Sequence, residues 1–325
     1  MTARTILVPA ASHSRVADRL AALEHDLNVV LWSTDGLTMP NGGGVDSATI
    51  APEVAWITID LFLTGDFLAF VDAALAFNSV KWFQACLAGT DAPPFARILD
   101  SGARLSNSDS PNAGVAEYVM GSVLHLVHDI NTRVEQHREQ EWVQLPWREI
   151  NGMTWVIVGF GSIGHEIAQR ARGFGVEVVG VRRTAVADAS ADRMATMDQL
   201  HNELAMADVV ILACPLTEET TGLADAAFFG AMKPGSILVN VSRGPVVDTP
   251  ALLAALDEGT PSEAILDVFD TEPLPDDSPI WTHPKVFMTS HIAGAGAGII
   301  TRGDALFIEQ LDDYLSDRPL RLEVT

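Results

Sequence analysis

Lysine is nearly absent from this chain: three occur (Lys81, Lys233 and Lys285), and the 20 basic residues face 43 acidic ones, for a net charge of −23. So negative a protein is repelled by phosphate backbones and anionic membranes, so neither nucleic acid nor a membrane surface is an expected partner. Two cysteines, Cys86 and Cys214, are too few for a disulfide framework or a structural zinc site. No metal is therefore expected, and a reducing cytoplasm is the expected compartment. No apolar run approaches the roughly twenty residues that cross a bilayer. The opening MTARTILVPAA runs directly into a strand pattern rather than a cleavable leader.

What is present suits a globular protein. Apolar residues make up 48% and charged ones 19% of 325 positions, enough for two domains with substantial cores. RTILVPA (4–10), NVVLWS (28–33), VAWITID (54–60) and VKWFQAC (80–86) read as strands, separated by helical patterns such as FLAFVDAAL (67–75). ARLSNSDSP (103–111) is small and polar and reads as a crossing between domains. From Pro111 an apolar spacing predicts one long helix through NAGVAEYVMGSVLHLVHDINTRVEQHR. Strands then recur at TWVIVGF, VEVVGVR, ADVVILAC, SILVNVS, EAILDVF and VFMTSH, with a final helix over 298–316. Alternation at this spacing predicts α/β architecture with parallel sheets, the second half forming one doubly wound domain and both termini a smaller one.

GFGSIG (159–164) lies between an apolar strand and an amphipathic helix. Gly159 permits the tight turn, Gly161 lets backbone approach a pyrophosphate, and Gly164 allows close helix–strand packing. The N–H groups of Ser162, Ile163 and Gly164 and the helix dipole then favour phosphate. The next strand, VVGVRRT (178–184), ends in two arginines where dinucleotide sites commonly carry an acid for the adenosine ribose.

Several motifs follow in a fixed order: GFGSIG, CPLTEETTG (214–222), NVSRGPVVD (240–248), LDVFDTEPLP (266–275) and TSHIAGA (289–295), with KWFQACLAGTD and NAGVAEYVM before them. In this the chain resembles the D-isomer-specific 2-hydroxyacid dehydrogenases, over most of residues 80–300. The resemblance implies a Rossmann cofactor domain (104–292) inserted in a smaller flavodoxin-like α/β substrate domain (1–103 and 293–325). It implies Arg243, Glu272 and His291 as the catalytic residues. Guanidinium offers a fork of donors to the carboxylate and carbonyl of a 2-keto acid. Imidazole can give a proton to the ketone oxygen, and a carboxylate on its other nitrogen orients it.

The resemblance further implies cofactor contacts from Cys214, Pro215 and Thr220, from Val241 and Ser242, and from Asp267, His291 and Gly294. For Asp267 the alternative is a strand-end acid that holds a neighbouring loop. Leu87, Ala88 and Gly89, with Arg243 and His291, are the implied substrate contacts, the loop acting through backbone N–H groups. Trp56, Trp82 and Phe83 either wall that pocket or pack in the core. Along the family pattern Arg182 falls where NAD-specific relatives carry the acid. With Arg183 and Thr184 it offers donors to a 2′-phosphate, so NADP(H) is the expected cofactor, with NAD(H) use as the alternative. A small 2-keto or 2-hydroxy acid, such as glyoxylate or hydroxypyruvate, is the implied substrate and a homodimer the implied assembly. Phosphite or formate dehydrogenases and dinucleotide-sensing corepressors share the fold. The formate branch typically pairs its histidine with glutamine, which Glu272 disfavours.

Overall fold

The computed structural model describes residues 3–324. It divides into two compact units, one formed by the chain up to Pro111 together with the segment from Ala297 onward, the other by Asn112–Gly296. The first boundary lies beyond the expected 103 because residues 104–106 extend the first sheet, and the second falls after Gly296 rather than at 292.

In the first unit β1 (Arg4–Pro9) is followed by α1 (Ala10–Ala21), β2 (Leu27–Ser33) and the short β3 (Gly36–Thr38). Then come β4 (Val54–Trp56), α2 (Ile59–Thr64), α3 (Phe67–Ala76) and β5 (Trp82–Gln84). α4 (Pro93–Asp100) and β6 (Arg104–Ser106) complete the run. The sheet order is β3-β2-β1-β4-β5-β6, parallel except for the β2–β3 hairpin. Apart from β3 this is the 2-1-3-4-5 order of flavodoxin-like folds.

The second unit begins with α5 (Asn112–Val127) and α6 (Ile130–Glu139). β7 (Thr154–Val158), α7 (Ser162–Gly173), β8 (Glu177–Val181), β9 (Arg193–Ala195), α8 (Leu200–Leu204) and β10 (Val209–Leu212) follow. α9 (Ala226–Ala231), β11 (Ile237–Asn240), α10 (Thr249–Glu258), β12 (Glu263–Leu266) and β13 (Val286–Met288) close it. Its seven parallel strands run β13-β12-β11-β10-β7-β8-β9. All four residues of β10 and of β11 are buried, as expected of strands covered by helices on both faces. The strand order reverses between β7 and β10, the position at which open α/β sheets bind ligands.

α11 (Ile299–Leu315) returns to the first unit. Its Phe307 stacks on Trp56, with centroids 4.2 Å apart and planes 4° from parallel, and its Tyr314 stacks on Trp82. Such pairs add about 1 kcal/mol to the burial of their area. Trp56, Trp82 and Phe83 are all buried, and core packing accounts for them. The expected long helix is two helices. Asp129 adopts the left-handed conformation (φ 50°) that short polar side chains tolerate, and Arg133 donates to the carbonyl of His128 at the break. The strand expected over 54–60 stops at Trp56, and Thr58 already precedes α2 in extended conformation.

Candidate active site

Two clusters emerge on the second unit, both at the carboxyl ends of its strands. The first surrounds the glycine loop. Gly159 follows β7 with φ +89°, and a Cβ there would fall on the backbone of Ala213 and Cys214, past the end of β10. Gly164 is buried, where an added Cβ would lie 3.3 Å from Gly159 O and from Ile157 and Phe160 side-chain atoms. Gly161 precedes α7 as a cap without a side chain, so the first-turn N–H groups of Ser162, Ile163 and Gly164 meet no side-chain cap. Beside them lies a cavity of about 690 Å³ lined by Gly159, Gly161, Arg182, Arg183, Thr184, Cys214, Pro215 and Thr220. Its remaining walls, among them Phe160, Val186, Met197 and Thr217, carry no separate signal in the sequence.

Arg182 follows β8, where its Nη2 donates to Val186 O at 3.1 Å. Its Nε is buried and meets no acceptor among the described residues. Thr220 Oγ1 donates to Pro215 O and receives the N–H of Thr217, which folds the 214–220 segment back on itself. Burial pushes the Cys214 thiol up to about 11 and the Cys86 thiol up to about 12, so neither is a thiolate at neutral pH. A cradle that rejects a Cβ and an open helix start together fit the pyrophosphate of a dinucleotide.

The second cluster joins the ends of β11, β12 and β13. Asn240 Oδ1 accepts from the N–H and hydroxyl of Ser242, and Asn240 Nδ2 donates to Arg243 O, so the turn after β11 is fastened to itself. Val241 and Ser242 are buried, and Arg243 Nη1 donates to Ser242 O at 2.8 Å. Gly244 packs directly on the backbone of Phe269 and Asp270. Glu272 Oε1 then accepts from Phe269 N at 3.0 Å, and its Oε2 lies 2.7 Å from Nδ1 of His291. Since an ionised carboxylate only accepts, Nδ1 carries the proton, and Nε2 is the ring nitrogen left for chemistry. The imidazole is about half exposed (48%).

His291 itself has φ +54°, a left-handed conformation uncommon for residues other than glycine. Asp267 holds it there. The N–H of His291 donates to Asp267 O at 2.7 Å, that of Ile292 to Oδ1 at 2.8 Å and that of Ala293 to Oδ2 at 2.9 Å. Thr289 adds its hydroxyl to Oδ1 at 2.6 Å, and Tyr118 from α5 bonds that hydroxyl at 2.7 Å. The Asp267 carboxylate, buried and with three chain donors, serves as the strand-end acid that fastens a loop. Neither Thr289 nor Tyr118 was expected: Thr289 stands inside the TSH motif, whereas nothing local marks Tyr118. Gly294 belongs to the same turn, its carbonyl 3.3 Å from where a Cβ on Gly114 would sit.

On the first unit, loop 87–89 follows β5 at the carboxyl edge of that sheet. Its Leu87 and Ala88 carbonyls accept from Ser108 N and Asn107 Nδ2 at 2.9 and 3.0 Å.

Comparison with known proteins places these features in company. The family model described as D-isomer specific 2-hydroxyacid dehydrogenase, NAD binding domain, matches residues 120–293. Glyoxylate/hydroxypyruvate reductase B of Citrobacter koseri is 40% identical over 187 residues, 56% of this chain and 58% of the reductase, so the match spans little more than half of that relative. A D-isomer specific 2-hydroxyacid dehydrogenase family protein from Aeromonas salmonicida superposes over 100% of this chain and 99% of its own, with TM-score 0.80 and 29% identity. The D-isomer specific 2-hydroxyacid dehydrogenase of Xanthobacter autotrophicus, solved with NADPH and MES, gives TM-score 0.77 and 26% identity, covering 100% of this chain and 98% of its own.

Proposed function

Because the chain belongs to the D-isomer specific 2-hydroxyacid dehydrogenase family, we propose that it interconverts a small 2-keto acid and the D-2-hydroxy acid, using NADP(H). The observation that carries this is the His291–Glu272 pair at 2.7 Å, held on a fastened turn beside the Arg243 segment. A bound nicotinamide supplies or accepts the hydride. His291 handles the proton. In reduction Nε2 gives its proton to the ketone oxygen as the carbonyl carbon gains the hydride; in oxidation it takes that proton back. Glu272 fixes the ring plane and the tautomer through its bond to Nδ1. Arg243 directs its fork of donors at the substrate carboxylate and carbonyl, drawing electron density toward the oxygen. Backbone N–H groups of Leu87, Ala88 and Gly89 are proposed as further carboxylate donors.

At the other end, Gly159, Gly161 and the start of α7 would hold the pyrophosphate, and Arg182, Arg183 and Thr184 a 2′-phosphate. Relatives named glyoxylate/hydroxypyruvate reductase support a two- or three-carbon keto acid, and the NADPH complex of the Xanthobacter relative supports the phosphate. The purified protein is expected to oxidise NADPH when glyoxylate or hydroxypyruvate is added and to turn over NADH more slowly. Arg182→Asp should reverse that order, lowering kcat/KM for NADPH by about 10- to 100-fold, the worth of one or two charged hydrogen bonds. A wild type that already prefers NADH would remove the role given to the arginines. No turnover across a keto-acid panel would remove the activity itself.

We also propose a homodimer. Ile130, Val134, Trp142, Val143 and Trp147 all leave apolar surface exposed within one short stretch of chain, Trp142 at 93%. Sedimentation velocity at several concentrations should show a species of twice the chain mass; a monomer throughout would contradict the assignment.

A further inference from the structure

Asp188, in the loop after β8, has its Oδ2 2.8 Å from Nε2 of His165 and 3.9 Å from Nη2 of Arg182. Its Oδ1 accepts from Ser190 N at 3.0 Å. The same carboxylate oxygen thus stands between two cationic or hydrogen-bonding side chains and takes the imidazole at hydrogen-bond length, leaving the guanidinium beyond it. His165 is placed for this by the glycine loop. It lies in the first turn of α7, its N–H donating to Gly161 O, and its ring meets the buried Phe160 edge-on at 5.0 Å.

We propose that His165 holds the Asp188 carboxylate away from Arg182 and so keeps that guanidinium open to the 2′-phosphate of NADP(H). The inference rests on the NADP(H) assignment and makes His165 a positioning residue for cofactor choice. The guanidinium nitrogen a released carboxylate would meet is Arg182 Nη2, already 3.9 Å from Asp188 Oδ2. A shift of about 1 Å would convert the 3.9 Å approach into a charge-assisted bond of ordinary length. That bond would occupy the donors a phosphate needs and set a negative charge beside it. The ribose of NAD(H), which carries no phosphate, would be little affected.

The test is calorimetric titration of the full chain with 2′,5′-ADP and with 5′-ADP, which share everything but the 2′-phosphate. His165→Ala should weaken 2′,5′-ADP binding by about 3- to 5-fold, the scale of a solvent-accessible ion pair, and leave 5′-ADP unchanged. His165→Gln, which keeps a donor for Asp188, should recover most of the loss. Asp188→Asn should bind 2′,5′-ADP at least as well as wild type, and in the His165→Ala background it should restore wild-type affinity. Equal loss for both nucleotides, or a double variant as weak as His165→Ala, would overturn the proposal, because either points to a damaged loop rather than a freed carboxylate. If wild type binds both nucleotides alike, the NADP(H) assignment fails first, and that outcome is read before any variant. Matching thermal melts establish that each variant is folded.

Discussion

Replacing His291 by glutamine or by asparagine is expected to lower kcat for keto-acid reduction by about 10²- to 10⁴-fold, the usual worth of a positioned acid–base group. The two substitutions differ in what they keep. Glutamine retains a side chain long enough to meet Glu272, whereas asparagine better tolerates the left-handed backbone that His291 adopts (φ +54°). Neither carries a proton it can release near neutral pH. If the role of His291 is proton transfer, both should fall by similar amounts, with dinucleotide affinity retained because the cavity by the glycine loop is built from other residues. A large loss in only one variant would mean that backbone or packing, not the proton, had been removed. Stopped-flow reduction with saturating NADPH, paired with fluorescence titration of the cofactor, separates these outcomes. Activity retained in both would discard His291 as the acid.

Gly244→Ala should produce the second large effect, in stability and activity together. A Cβ at this position would overlap the carbonyl group of Phe269 and the nitrogen of Asp270, backbone atoms that cannot rotate aside. Either the turn carrying Arg243 or the segment carrying Glu272 must move. Overpacking of this kind costs about 1–3 kcal/mol. For a unit of this size that lowers Tm by roughly 2–4 °C for each kcal/mol. Because Glu272 accepts from Phe269 N, the displacement also reaches the histidine pair. kcat/KM should therefore drop by more than the melting shift implies. Gly230→Ala is the matched control: it lies in α9, nothing stands within 4 Å of its added Cβ, and the change should be neutral or slightly stabilising. An unaltered melt and unaltered kinetics for Gly244→Ala would show that this close contact is not a constraint.

The parts of the fold legible in the sequence are those whose signal is local. Continuous apolar runs such as VVIL (209–212) are buried on both faces and mark parallel strands without help from distant residues. The series of motifs brought the doubly wound and flavodoxin-like fold classes with it. Breaks were harder to see. The apolar spacing runs on through His128 and Asp129, yet a single left-handed residue ends the helix, and only the partners of the freed carbonyls reveal it. β6 is three residues long and polar at both ends, and it becomes a strand by pairing with β5. In the site, the glycines could be read because a tight turn and a close backbone approach require that residue type. The loop-fastening bonds of Asp267 could not, since an acid at a strand end looks alike whether it faces a ligand or three donors of its own chain. Asp188 and His165 carried no signal either: they stand twenty-three positions apart, and a shared carboxylate oxygen brings them together.

The return of α11 to the first unit has a consequence for synthesis on the ribosome. Trp56, Trp82, Ile6 and Val8 belong to a core whose other half is Phe307, Leu311, Tyr314 and Leu315. Until those last residues leave the exit tunnel, that side of the N-terminal sheet is covered only in part, by Val16 and Leu20 of α1, however long ago its strands were made. The unit built from Asn112–Gly296 is contiguous and complete before then. The order of maturation is thus inverted relative to the usual N-terminal-first sequence: the inserted unit can close while the first-made strands still await their final helix, and an early stop between 296 and 307 leaves an intact cofactor unit trailing a sticky, half-finished sheet.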